Sequence, residues 1–282
     1  MNIMSNVLIL GSKGLLGGQL MKVFGNEAVG WDRGDCDVTD SANLKSKILN
    51  LKFLPRAIIN CVAYNDVEGA EGRQDLAFKL NAEVPKNLAE ICRELDIILV
   101  HFSTNYVFDG EKGEYKESDA PNPLSVYAKS KRQGELEVEN GAGRFYIIRT
   151  SVLFGQKGQS DLSKKSFISL MLGLSEKSNE IKAITDEINS ITYSVDLSGQ
   201  VKLLLEQGKP YGIYHITNSG QASWYDFAKE IFSITGKKVN LIPVASADFL
   251  RQANRPKKTV LLNTKLSPLR SWQEALREFL TS

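Results

Sequence analysis

The sequence is poor in the residues that build metal centres and cross-links. It has two histidines and three cysteines among 282 residues. Cys36, Cys61 and Cys92 are an odd set without metal-type spacing, and Cys61 and Cys92 lie in apolar stretches, so reduced structural thiols and no metal site are expected. His101 and His215 each fall on an apolar, strand-like run, where a histidine is more often a core or strand-end residue than a catalyst. Basic blocks are absent as well. Thirty-five basic against thirty-three acidic residues leave a net +2, without clustering, which argues for small-molecule partners rather than nucleic acid or a membrane surface. No apolar run approaches the ~20 residues of a membrane span. No charged leader with a cleavage signal opens the chain, and a cytoplasmic location is expected. At 42% hydrophobic and 24% charged residues, the composition is that of a globular chain with a sizeable core.

Apolar strands alternating with helical stretches are what the sequence does have. Residues 7 to 10 form a short apolar run, followed by Gly11, Lys13, Gly14, Leu15, Leu16 and Gly17 in a Gly-x-x-Gly-x-x-Gly turn and a helical stretch to about Phe24. Strand, glycine turn and helix in that order make a dinucleotide-binding arrangement, because glycines admit close backbone approach and the helix amino terminus faces a pyrophosphate. A second strand at 28 to 31 ends at Asp32, about 20 residues beyond the turn, where an acidic side chain binds adenosine ribose hydroxyls. Arg33 beside it suits a 2′-phosphate. The pair tilts the choice toward NADP(H) and leaves NAD(H) open. A helical segment at 41 to 51, a buried strand at 57 to 63 ending at Tyr64, a mostly helical segment from 71 to 94 and a strand at 97 to 102 follow. This alternation predicts an α/β fold with a doubly wound parallel sheet, whose ligands bind at the carboxyl ends of the strands.

The stretch from His101 to Lys131 carries the chemistry. Ser103, Thr104, Asn105 and Tyr106 leave a buried strand, and Tyr127 and Lys131 lie four apart at the start of a helical segment, hence on one face. An ammonium beside a tyrosine stabilises the phenolate and makes the pair a general acid/base. A Thr104 hydroxyl from the strand end can hydrogen-bond the same carbonyl oxygen as charge develops on it. Tyr-x-x-x-Lys alone is a weak signal, and its weight comes from the glycine turn upstream.

A further strand at 145 to 150 leads to a glycine- and serine-bearing loop to about Ser163, and the pattern then weakens. Helical segments at 167 to 174, 194 to 207, 223 to 235 and about 270 to 280 surround strand-like runs at 181 to 184, 212 to 216 and 239 to 244. Trp224 to Phe227 reads as a helix start packing a small lobe. The expected organisation is a cofactor-binding domain over 1–150, with 190–217 returning to it, and a smaller substrate lobe from 151–189 and 218–282.

Taken together, Gly11-x-x-Gly14-x-x-Gly17, Ser103-Thr104-Asn105-Tyr106-Val107-Phe108-x-Gly110, Tyr127-x-x-x-Lys131, Arg149-Thr150-Ser151, Gly212-x-Tyr214-His215 and Arg255-Pro256 resemble the dTDP-4-dehydrorhamnose reductase family of the extended short-chain dehydrogenase/reductases. The resemblance spans essentially the whole chain and implies a Rossmann-type fold and a nucleotide-sugar substrate. It implies that Tyr127 protonates the sugar C4 oxygen, that Lys131 tunes Tyr127 and binds the nicotinamide ribose, and that Thr104 bonds the ketone. Asp37 and Val38 match an adenine-side contact, and Ala63, next to Tyr64, matches a contact at the pyrophosphate and ribose. Tyr106 and Asn105 fall on the sugar side, and Arg255 is placed to meet a substrate phosphate or solvent. Three features depart from the family pattern. Asn105 stands for Asp, Val152 for a frequent Trp, and the segment from Asp186 to Thr192 replaces the Gln, Gly and Pro of an Asp-Gln-x-Gly-x-Pro-Thr sequence. Three functions are therefore weighed: a 4-keto reductase acting as monomer or homodimer, an epimerase or dehydratase that retains NAD, and an idle regulatory subunit.

Overall fold

A computed structural model describes residues 6–160 and 166–282, so the end of the loop expected to reach Ser163 lies outside the described residues. The amino-terminal half runs β1 (Val7–Leu10), α1 (Leu15–Phe24), β2 (Ala28–Trp31), α2 (Ser41–Leu49), β3 (Ala57–Asn60), α3 (Val67–Gly72), α4 (Gln74–Phe78), a π-helical turn (Lys79–Glu83), α5 (Val84–Glu94), β4 (Ile98–Thr104), β5 (Gly113–Tyr115), α6 (Val126–Gly141) and β6 (Phe145–Thr150). The remainder runs β7 (Leu153–Phe154), α7 (Phe167–Ser175), β8 (Glu180–Ile184), β9 (Ile188–Asn189), β10 (Thr192–Tyr193), α8 (Ser194–Glu206), β11 (Gly212–His215), β12 (Ala222–Ser223), α9 (Trp224–Thr235), β13 (Asn240–Val244), β14 (Lys258–Leu261) and α10 (Trp272–Thr281).

Six strands form one sheet in the order β11-β6-β4-β3-β1-β2, and every pairing in it is parallel. Alternation along β1 shows why the strands read as continuous apolar runs. Val7 and Ile9 pack with Leu20 of α1 and Leu197 and Val201 of α8. Leu8 and Leu10 pack with Leu44 and Ile48 of α2 and Leu88 of α5 on the other face. Both faces are covered, so neither set of side chains can be polar. The chain leaves β1 toward β2 on one side and returns to β3 on the other, which opens a crevice beyond the carboxyl ends of β1 and β3.

A third core lies among the elements that follow β6, where Phe154, Phe227, Ile231, Trp272 and Leu276 meet. As read from sequence, α9 begins at Trp224, held by a reciprocal cap between Ser223 and Asp226. Four short strands, β12-β9-β14-β5, make a separate sheet beside the carboxyl end of β4. Residues 258 to 261, which were not read as a strand from the sequence, pair in parallel with β5 and β9. The helical stretch expected from 71 to 94 starts earlier, at Val67, breaks at Arg73 and widens into the π-turn.

Candidate active site

Strand β4 delivers Thr104, and helix α6 delivers Tyr127 and Lys131 beside it. The helix start is fixed twice: Ser125 Oγ accepts the Ala128 N–H at 3.2 Å, and Glu71 Oε1 accepts the Val126 N–H at 2.9 Å. Its register against the sheet is set by Glu135, whose carboxylate takes two bonds from Arg149 of β6, each at 2.8 Å, and one from Arg132 at 2.7 Å. Glu135 and Arg149 are both fully buried. Such a pair contributes little net stability, because desolvation offsets attraction, but losing one partner strands the other charge.

Tyr127 is 9% exposed and Lys131 is 3% exposed. The Tyr127 hydroxyl lies beside the Thr104 side chain, and burial pushes the phenol up to about 12 against the smaller downward pull of that neighbour. Lys131 Nζ donates to the Phe102 carbonyl at 2.6 Å. Burial pulls its ammonium down to about 8, opposed by Glu135 and Cys61. The expected lowering of the phenol by the ammonium is therefore not seen in this arrangement. The ammonium is turned to a strand carbonyl, and the phenol lies in an apolar wall with Tyr106 edge-on, ring centroids 6.3 Å apart. A raised phenol remains protonated at neutral pH, which suits a proton donor.

The glycine turn lies in the crevice beyond β1 and β3. Gly11 has φ +76°, and a Cβ on Gly17 would sit 2.1 Å from the Gly11 carbonyl oxygen, so no side chain fits there. Gly14 caps α1 without a side-chain hydrogen bond, which leaves the first-turn N–H groups for an anion. These features form a cradle that fits a dinucleotide pyrophosphate. Asp32 accepts the N–H groups of Lys13 at 3.1 Å and of Arg33 at 2.7 Å, bracing the turn, while the Arg33 side chain is exposed. Asp37 is exposed and accepts both the N–H and hydroxyl of Thr39, and Val38 packs against the second core. Leu15 and Leu16 begin α1, and Ala63 and Tyr64 leave β3 half-buried.

Two contributors on the cofactor side were missed in the sequence. Asn81, in the π-turn, accepts the Tyr64 N–H at 2.8 Å and donates to the Tyr64 carbonyl at 3.1 Å and to Ser130 Oγ at 3.0 Å. It therefore splints the β3 exit to the catalytic helix. A polar residue within Leu80-Asn81-Ala82 was the available signal. Gly158 lies against the glycine turn, where its Cβ would fall 2.4 Å from the Lys13 carbonyl oxygen, and Ser160 N–H donates to that oxygen at 3.0 Å.

On the substrate side, Asn105 is buried and Tyr106 largely so. Asn105 Nδ2 donates to Asn189 Oδ1 at 2.8 Å and to Thr259 Oγ1 at 2.7 Å, and Thr104 Oγ1 donates to Asn105 Oδ1 at 3.3 Å. Arg255 donates to Glu68, and its charge draws the Tyr106 hydroxyl down against the larger upward effect of burial. Glu187 is buried between Arg251, which it pairs with, and Trp224 Nε1, which donates to it at 2.9 Å. Both histidines are buried. His215 Nδ1 lies 3.0 Å from the Leu262 carbonyl oxygen, and burial holds its imidazole down at about 4.

The family described as RmlD substrate binding domain matches residues 4–282. A dTDP-4-dehydrorhamnose reductase from Streptomyces griseus is 33% identical over 288 residues, covering 96% of this chain and 91% of the relative. The chain belongs to the dTDP-4-dehydrorhamnose reductase family. Among solved structures of this family, a Clostridium acetobutylicum dTDP-4-dehydrorhamnose reductase superimposes with a TM-score of 0.91 at 36% identity, covering 98% of each chain. A Bacillus anthracis dTDP-4-dehydrorhamnose reductase in complex with NADP superimposes with a TM-score of 0.92 at 33% identity, again over 98% of each. Membership makes the chain an NAD(P)-dependent oxidoreductase.

Proposed function

We propose that this reductase converts the 4-keto group of a nucleotide-linked 6-deoxysugar to the alcohol, with dTDP-4-dehydro-L-rhamnose as substrate and dTDP-L-rhamnose as product. The observation that carries the reading is the buried cluster of Thr104, Tyr127 and Lys131, the last one turn along α6 from the tyrosine, at the carboxyl end of the strand beside β3. Reduced nicotinamide, when bound, supplies the hydride to the sugar C4.

Tyr127 then gives its hydroxyl proton to the C4 oxygen, and Thr104 hydrogen-bonds that oxygen as negative charge develops on it. Lys131 turns from the Phe102 carbonyl toward the nicotinamide ribose and stabilises the phenolate left after proton transfer. Tyr106 and Asn105 would wall the sugar side, with Arg255, held by Glu68, next to Tyr106. On the cofactor side, the turn from Gly11 to Gly17 would hold the pyrophosphate, Asp37 and Val38 would take the adenine side, and Ala63 and Tyr64 the ribose. Asp32 is engaged by the turn, which favours Arg33 as the group that meets a 2′-phosphate and hence NADPH. NADH is the second cofactor. We place the enzyme in the cytoplasm as a monomer or homodimer, with residues 1–150 and 190–217 as its cofactor-binding domain.

The test is steady-state oxidation of NADPH and of NADH with a panel of nucleotide 4-keto-6-deoxysugars. Turnover with the dTDP-linked keto-sugar is expected. Cofactor binding without turnover on any member of the panel would favour an idle subunit instead.

A further inference from the structure

Helix α3 leaves the cofactor crevice directly after Ala63 and Tyr64 and carries two carboxylates one turn apart. Glu71 caps the catalytic helix through the Val126 N–H. Glu68 points to the other lobe. Its Oε1 accepts Arg255 Nε at 3.2 Å and Nη2 at 2.8 Å, and its Oε2 accepts the N–H groups of Gln252 at 2.9 Å and Ala253 at 3.2 Å. Four donors from one loop thus converge on a single side chain of the cofactor-binding half.

The rest of that loop is tied to its own lobe. Ser246 N–H and Oγ donate to Asp186 at 2.7 and 2.9 Å, and Arg251 pairs with Glu187. The Arg255 charge acts on the Tyr106 hydroxyl, drawing it down against burial, and the Tyr106 ring stands edge-on to Tyr127 at an interplanar angle of 83°. Glu68 is therefore linked by hydrogen bonds to Arg255, by charge to Tyr106 and by ring packing to the proton donor.

We propose that Glu68 is a positioning residue for the reduction: it holds the 252–255 loop over the site and, through Arg255, sets Tyr106 against Tyr127. The inference rests on the functional reading above. Burial raises the Glu68 carboxyl, but the bonds from Ala253, Arg255 and Gln252 outweigh that and hold it below the usual range, so the group is ionised at neutral pH. A charged acceptor gives hydrogen bonds roughly twice as strong as a neutral one. Gln in its place keeps the shape but turns a donor N–H₂ toward either the guanidinium or the two backbone N–H groups.

The experiment compares Glu68→Gln, Glu68→Asp, Arg255→Ala and the Glu68→Gln/Arg255→Ala double variant. Each is measured by keto-sugar kinetics, NADPH titration and amide hydrogen exchange. For Glu68→Gln, kcat/KM for the keto-sugar is expected to fall about tenfold or more, in proportion to a lost charge-assisted bond, while NADPH affinity stays near wild type. Glu68→Asp, which keeps the charge, recovers most of the loss. Because part of the effect of Glu68 runs through Arg255, the double variant is expected to lose less than the product of the two single losses. The Gln252 and Ala253 amides exchange faster in Glu68→Gln. Wild-type kcat/KM in Glu68→Gln, or losses that multiply in the double variant, overturn the proposal. A wild type that reduces no keto-sugar overturns the functional reading itself, and unchanged exchange at Gln252 and Ala253 then also removes Glu68 as the loop's anchor.

Discussion

Asn105 donates to Asn189 across 2.8 Å, joining the end of β4 to β9 of the smaller lobe. Both positions depart from the family pattern, one where Asp is usual and one where Gly is usual, and in this chain they meet. Thr259 completes the knot, since it receives Asn105 Nδ2 and donates to Asn189 Oδ1 at 3.2 Å. The third departure in the same segment, Glu187, is equally engaged by Arg251 and Trp224. A decayed loop would leave buried polar groups without partners, at a cost of about 1–3 kcal/mol each. The substituted loop is instead bonded at each of these side chains, which argues against decay of the fold around it.

The knot predicts coupling. Asn105→Ala leaves Asn189 Oδ1 with Thr259 alone as donor and removes the acceptor of the Thr104 hydroxyl, so thermal or denaturant unfolding should show a loss of about 1–3 kcal/mol. Asn189→Ala should cost less after Asn105→Ala than before it, with an interaction energy of roughly 0.5–3 kcal/mol in the double-variant cycle. Strictly additive losses would show that the two amides do not stabilise one another.

For the chemistry, Tyr127→Phe keeps the ring against Tyr106 and removes the donated proton. Reduction of an accepted keto-sugar should fall by about 10²-fold or more, with NADPH affinity near wild type. Thr104→Val removes one bond to the developing oxyanion without touching the proton source, so its loss is smaller. Steady-state kinetics alongside cofactor titration checks both. Wild-type turnover in Tyr127→Phe would remove it as the acid.

The cofactor cradle makes its own forecast. Gly158→Ala places a methyl about where the Lys13 carbonyl lies, 2.4 Å away, so the covering segment must lift from the glycine turn. Direct titration should show weakened NADPH and NADH alike. Arg33→Ala, by contrast, should weaken NADPH relative to NADH, since an exposed arginine meets a phosphate that only one of them carries. Equal affinities before and after Arg33→Ala would reassign the 2′-phosphate contact.

Much of this organisation was legible in the chain because parallel strands buried on both faces leave unbroken apolar runs, as β1, β3 and β6 do. The glycine turn and the Tyr127 and Lys131 spacing are local and were readable for the same reason. Strands of two residues such as β9 and β12 carry too little pattern to be seen, and their partners lie far along the chain. Glu68, Glu135 and Arg149 look like ordinary solvated charges until folding brings their partners to them. Only the position of Glu135, four residues after Lys131, hinted at a shared face.

Lys131 supplies a pH signature that separates catalysis from folding. Its ammonium is held at about 8 in the folded protein, chiefly by burial, against an ordinary value of 10.5. Proton donation by Tyr127, at about 12, is not limited by its own titration below pH 10. The high-pH limb of kcat/KM for the reduced cofactor, which reports groups of the free enzyme, should therefore fall near pH 8 as the ammonium is lost. Stability moves the other way. Between about pH 8 and 10.5 the unfolded chain binds more protons at this site than the folded one, so the group's contribution to folding stability rises with pH. Relative to Lys131→Met, which does not titrate, the wild type should gain in Tm across that window while losing activity. A kcat/KM flat to pH 10 would show that the ammonium is not required, and an activity loss that tracks a falling wild-type Tm would assign it to unfolding.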